Sequence, residues 1–471
     1  MITLKSDEEK KLIKAIKKKD IKKVKSIFEN ANNKIKLNLN TKYKIELCPF
    51  LYACDINNIT NNIEIIQLLI DYANKNHTVL ELNEKDENGN YPFLWACDKN
   101  NTEIVELLIN YANKNNIIFE LNESNKKGNY PLELVCFKNS IKMVQLLLDY
   151  ANNNNIILEL NEKNKNGDYP LYWACYYNNV EIIKLLFDYA NKNNIILKLN
   201  EKNEDGNYPI LWPCYYCNVE VVELFIDYAK ENEFSLELNE KSKIGIYPLL
   251  GACFKNNIEM VKLLLNYAVE NNIILSLNEQ DKNGNYPLSD SCYNNNTEIL
   301  KLLVDYAIKN NISLELNGKN KKGNYPLNWA FYENNIEIIQ LFIDYANKHN
   351  IVLELNGTSK KGNYPLLWAC YNNNIKTLKL LIDYANQNDI ILELNGKTKN
   401  GDYPLYWACD KNNVEMVKLL MDYANKNNII LELNGKGENG DYPLYWLMIK
   451  IILKLQHYSL IMLLIITLFW I

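Results

Sequence analysis

The sequence has no arginine: all 52 of its basic residues are lysine. Arginine is the usual bidentate reader of phosphate and guanine, so its absence argues against sequence-specific nucleic-acid binding. Histidine is nearly absent too. The three present, His77, His349 and His457, share no repeated position and complete no metal-ligand spacing. Glycine (16) and proline (12) are spread too evenly to build a flexible or proline-rich linker. No phosphate loop, G-x-S-x-G or H-E-x-x-H pattern occurs, and no break in the pattern brings together a nucleophile, a base and an orienting group. These absences point away from an enzyme and imply no cofactor. The net charge of −5 is only mildly acidic. The abundance of Asn, Ile, Lys and Tyr reads, from composition alone, as an AT-rich coding sequence rather than a function.

What is present is one stretch, repeated. Tyr-Pro recurs with its tyrosine at Tyr91, Tyr130, Tyr169, Tyr208, Tyr247, Tyr286, Tyr325, Tyr364, Tyr403 and Tyr442, each 39 residues after the last. A fixed period between about 20 and 50 residues marks a solenoid, which escapes the size limit of a single compact core. Each unit places proline at the first position of a helix, where a missing N–H costs nothing. An Asn-Asn turn follows, and then a second helix with apolar residues at i, i+3 and i+4, the pattern of one buried face. One glycine per unit before Tyr-Pro marks a turn.

From Tyr91 to Ala112 the unit resembles the ankyrin repeat, which opens T-P-L-H-x-A. Pro92 holds the proline position, Ala96-Cys97 the small pair of the first helix, Asn100-Asn101 the turn, and Ala112 the closing alanine. The resemblance implies an all-α helix-turn-helix solenoid that binds proteins and is not catalytic. Three departures stand out. Tyrosine replaces the threonine before proline, and no following histidine is present. Tyrosine also replaces the glycine that normally ends the second helix, as in Asp188-Tyr189-Ala190. The unit is about six residues longer than the usual ~33, the extra length falling at 191–201. There A-N-K-N-N is expected to prolong the helix, and I-I-L-K-L-N alternates like a short strand, so the fingers between repeats have short β-strands as an open alternative.

Residues 1–47 lack the Tyr-Pro signal and read as a helical N-cap. Ser6-x-x-Glu9 has the form of a capping box, and Asp20 can cap a second helix. Repeats are assigned to 48–446, starting near 48, 91, 130, 169, 208, 247, 286, 325, 364, 403 and 442, and the first carries four extra residues within Ile56–Asn62. Gly251 and Asp290 stand where most units keep tryptophan, and Pro213 where most keep alanine, a helix-interior proline worth about 3 kcal/mol; the middle of the array is the expected weak point. Nine of the 11 cysteines occupy one repeat position. Stacked helices lie roughly 8–10 Å apart and a disulfide needs about 7 Å or less, so these thiols read as small buried groups in a reducing, cytoplasmic compartment. Cys214-Tyr215-Tyr216-Cys217 is a C-x-x-C by form only, with Cys217 replacing a turn asparagine.

Residues 447–471 form a hydrophobic tail. Its uncharged run after His457 is 14 residues, short of the roughly 20 that span a bilayer. Shifting by one base a coding string for A-Y-D-K-N-N-I-E-I yields Leu447–Leu455, and Ile465–Ile471 reads one base back as N-N-N-I-I-L-D. The tail is therefore read as a frameshifted last repeat, and membrane contact is expected only through it. A membrane-associated adaptor held by this tail is the alternative to a cytoplasmic, monomeric scaffold.

The resemblance places binding on a concave face made by the fingers and the ends of the first helices. The residues after the repeat cysteine supply Phe137, Tyr176, Tyr177, Tyr215, Tyr216, Phe254, Tyr293, Tyr332 and Tyr371, an aromatic stripe expected to hold an unidentified protein partner. Packing between neighbouring repeats is the equal alternative. Units ending L-N-E-K (Glu84, Glu162, Glu201, Glu240) give way to units ending L-N-G (Gly318, Gly357, Gly396, Gly435), which suggests two duplicated blocks.

Overall fold

A computed structural model describes residues 7–31, 37–40, 48–55, 59–437, 440, 442 and 443. Among them are 22 helices and no strand. The chain divides into two compact units, Met1–Pro213 with Glu220–Glu237, and Cys214–Val219 with Leu238–Ile471. Each unit is a series of helix pairs. The tail lies outside the described residues, as do Ser6 and His457. No helix among the described residues is long and apolar enough to cross a membrane.

The repeat beginning at Tyr169 shows how sequence becomes structure. Tyr169 is extended, Pro170 opens a seven-residue helix to Tyr176, and Leu171, Ala174 and Cys175 are fully buried. Asn178 turns the chain at φ 53°, a left-handed conformation that asparagine tolerates better than most residues. Asn179 then accepts a hydrogen bond from the Ile182 N–H, capping the helix Val180–Lys192. Ile182, Ile183, Leu186 and Ala190 form its buried face. The finger turn needs glycine: Gly167 has φ 79°, and a Cβ there would lie 2.8 Å from Asn203 Cα of the next finger.

The segment expected to alternate as a strand pairs with no other strand among the described residues. Side chains take its backbone groups instead. The Leu197 N–H donates to the Tyr228 hydroxyl (3.0 Å), which donates to the Ile195 carbonyl (3.1 Å). From the other side Asn161 donates its amide to the Ile196 carbonyl (2.8 Å) and accepts from the Lys198 N–H (3.0 Å). The next repeat's tyrosine and the preceding repeat's asparagine thus fill the ladder positions that strands would fill. The arrangement recurs at Tyr345 with Asn278 and at Tyr384 with Asn317. The strand alternative is therefore corrected: among the described residues, asparagine and tyrosine side chains join successive repeats where strands would pair. The tyrosine that replaces the closing glycine of the second helix is one of these joints.

The Tyr-Pro tyrosine has a separate task. Tyr169 is buried, and its hydroxyl donates to the Lys198 carbonyl at 2.6 Å, closing the repeat on itself. Tyr91, Tyr247 and Tyr286 do the same.

Irregular positions are absorbed locally. The four extra residues of the first repeat lengthen its second helix, Ile59–Lys75, to 17 residues against 13 in most others. Pro213 falls in the first turn of a shortened helix, Leu211–Tyr216, after i→i−3 bonds from Leu211 and Trp212. A first-turn N–H has no intrahelical acceptor, so the cost expected for a helix-interior proline does not arise in full. Before the first repeat lie helices Asp7–Lys17 and Ile21–Ala31, and Asp20 accepts from the Lys23 N–H at the start of the second. No disulfide joins any of the 11 cysteines, and every one except Cys217 is buried. Cys217 has φ 59°, in the place of a turn asparagine.

Candidate interaction site

The nine aromatic residues sit at the C-terminal ends of first helices. In the first unit Phe137 packs edge-to-face on Trp173 (4.7 Å) and Tyr176 on Trp212 (4.8 Å), with Tyr177 beside Tyr176 (5.2 Å). In the second unit Tyr293 meets Trp329 (4.8 Å), Tyr332 meets Trp368 (4.7 Å) and Tyr371 meets Trp407 (4.7 Å), all near perpendicular. Each ring therefore meets the tryptophan of the following repeat, at the separation where edge-to-face pairs are attractive. Tyr215 and Phe254 instead stack nearly parallel at 6.1 Å, because Gly251 leaves no tryptophan between them, and Tyr216 packs on Tyr215.

Packing does not bury these rings. Tyr177, Tyr216, Phe254, Tyr293, Tyr332 and Tyr371 remain 40–56% exposed, while Phe137, Tyr176 and Tyr215 are half-buried. The rings thus pack on the neighbouring repeat and keep part of their surface exposed. The structure adds what the sequence reading missed: the tryptophans are half-buried and share the surface. In the second unit Trp329, Tyr332, Trp368, Tyr371 and Trp407 line a groove of about 940 Å³. Lys322, Lys360, Lys361 and Lys399 line its finger side. The signal was available in the recurrence of tryptophan three residues before the stripe position.

Several rings carry the chain's own ammonium groups. Lys138 lies 4.9 Å from the Phe137 centroid, Lys255 lies 4.5 Å from Tyr215, and Lys411 lies 5.1 Å from Trp407 and 5.4 Å from Tyr371.

Two buried carboxylates lie near the stripe. Glu133 accepts from Trp173 Nε1 (2.9 Å) and Asn164 Nδ2 (3.0 Å), while its second oxygen has no hydrogen-bond partner. Burial pushes its carboxyl up to about 7, against the pull of those two donors. Asp290 stands at a tryptophan position and is 6% exposed, and burial pushes it up to about 7 as well. No group of His, Cys, Asp and Glu suited to holding a metal occurs among the described residues. Burial raises the repeat thiols, so they are poor nucleophiles.

A family model for ankyrin repeats in three copies matches residues 12–118, 60–157, 115–196, 153–235, 249–352, 307–391 and 346–430. Among solved structures the chain is similar to the ankyrin repeat domain of Bcl-3, described as a unique member of the IkappaB protein family. The identity is 20% and the TM-score 0.36, over 52% of this chain and 95% of that one. No curated protein sequence matches the chain significantly. The family matches together span most of the sequence, in the register set by the Tyr-Pro period, and the chain belongs to the ankyrin-repeat family.

Proposed function

We propose that the protein is a non-catalytic scaffold that holds a protein partner across the first-helix ends and fingers, with the groove of the second unit as its principal seat. The observation that carries this reading is the ring series Tyr293, Trp329, Tyr332, Trp368, Tyr371 and Trp407. Its members are held by their neighbours yet partly exposed, and all but Tyr293 line one groove. Rings held in place lose little entropy on binding and bury large areas, which is why aromatics dominate interface energetics. Lys322, Lys360, Lys361 and Lys399 along the finger side favour a partner segment that offers carboxylates beside its apolar groups.

The test compares wild type with Tyr293→Ala/Tyr332→Ala/Tyr371→Ala in affinity capture from native lysate, after matching the melting of the two proteins. The expected result is a partner retained by wild type and lost by a variant that melts within a few degrees of it. Equal capture by both would refute this seat.

A further inference from the structure

In the second unit two repeats lack the tryptophan: at Gly251 the rings of Tyr215 and Phe254 close over the space, while at Asp290 a gap is left. Phe254 has no tryptophan of the following repeat to pack on, because that repeat supplies Asp290. The missing indole leaves a cavity of about 360 Å³ lined by Phe254, Asp290, Tyr293 and Trp329. This is the low end of the range for ligand pockets, a size for one side chain rather than a cofactor. Asp290 is 6% exposed and lines the cavity, and among the described residues no group donates to its carboxylate and no lysine pairs with it. Burial, and to a lesser degree the like-charged Asp281, raise its carboxyl. Lys321 and Lys322 also line the cavity, but both are exposed and neither pairs with Asp290.

A carboxylate largely withdrawn from water and without a protein donor favours a cationic donor, and three aromatic rings line the same cavity. Elsewhere in the chain the same stripe rings carry lysine ammonium groups, from Lys138, Lys255 and Lys411. Lys255 also lies 5.6 Å from the Phe254 centroid, and among the described residues no lysine lies over Tyr293 or Trp329.

We propose that this gap is a subsite for a lysine side chain of the protein partner. Its alkyl stem lies against Phe254, Tyr293 and Trp329, and its ammonium donates to Asp290. The subsite rests on the reading of this face as an interaction surface and supplies the chemistry of one contact. A lysine has the reach to pass the exposed finger residues, and a charge-assisted hydrogen bond within an aromatic box is stronger than either element alone.

The experiment follows the Trp329 resonance by fluorine NMR in protein containing fluorotryptophan, assigned with Trp329→Phe. The probe is Nα-acetyl-lysine methylamide, and the control is its Nε-acetylated, neutral counterpart. The expected result is a saturable shift with the amine at millimolar concentration, as suits one isolated contact, and none with the control. Asp290→Asn should weaken the amine at least tenfold. Asp290→Trp, which restores the residue of the other repeats and fills the gap, should abolish it. No shift, an equal shift with the neutral control, or undiminished binding in both Asp290 variants would overturn the proposal. Tighter binding of putrescine than of the lysine probe would assign the site to a free polyamine and overturn it likewise. The titration contains no protein partner, so its failure removes the subsite without touching the capture result, and a failed capture leaves the titration standing.

Discussion

At the scale of the residue, two tyrosines with the same side chain have opposite energetic standing. Tyr345 is buried, and its hydroxyl accepts from the Leu314 N–H and donates to the Ile312 carbonyl, both at 3.1 Å. Tyr345→Phe leaves that buried N–H without an acceptor and should cost about 1–3 kcal/mol. Tyr325 is completely buried and its hydroxyl has no partner. Removing it deletes an unmet desolvation cost, so Tyr325→Phe should be neutral or stabilising. Urea midpoints at unchanged slope give the comparison. Equal losses in the two variants would mean that ring packing, not the hydroxyl, decides both. The sequence showed tyrosine at both positions in nine successive repeats, from Tyr91 to Tyr423, but not this difference, because partners 30 or so residues away depend on how successive repeats lie.

At the scale of the element, the sequence was legible wherever structure is local. Proline at the first helical position, the apolar face of the second helix and the turn asparagine each act within a few residues, and each stands where the period placed it. The alternating segment was not legible as to pairing. I-I-L-K-L-N has the period of a strand, but pairing is a property of its neighbours, and these present side chains. The aromatic stripe was half legible: the end of the first helix placed its rings, while their share of the surface depended on tryptophans belonging to the next repeat. A prediction follows for one rung. Asn317 donates to the Val352 carbonyl and accepts from the Glu354 N–H, both at 2.9 Å. Asn317→Ala removes both bonds and should cost about 1 kcal/mol, because water reaches this edge and compensates in part. Asn317→Asp keeps the acceptor for Glu354 and should cost less. Hydrogen exchange at the Glu354 amide should quicken most in the alanine variant, while the Glu393 amide, held by Asn356, stays as in wild type. Unchanged exchange at Glu354 would deny the rung any part in joining repeats.

At the scale of the whole molecule, charge is mostly a surface matter. Lys184–Glu220, Lys262–Glu298, Lys301–Glu337 and Lys379–Glu415 recur as exposed ion pairs between successive repeats, and such pairs contribute little. The pH dependence of stability therefore falls to the few carboxyls that folding buries. Glu133, Asp290 and Asp168 are all raised, each chiefly by burial. A raised acid reverses the familiar sense of acid denaturation. Below about pH 4 Glu133 is protonated whether folded or not, and its site costs nothing extra. As pH rises from there towards 7, the unfolded chain ionises and the folded chain does not, so the folded state binds more protons and stability falls. Above about 7 both forms are charged and the loss levels off, at about 3 kcal/mol for a single group with this shift. Glu133→Gln keeps an oxygen for Trp173 Nε1 and Asn164 Nδ2 and has no charge to bury. The variant should therefore melt above wild type at pH 8, and the gap should close as the pH is lowered to 5. A gap that is constant across this range, or that widens towards acid, would place the Glu133 charge in the folded state and remove the argument.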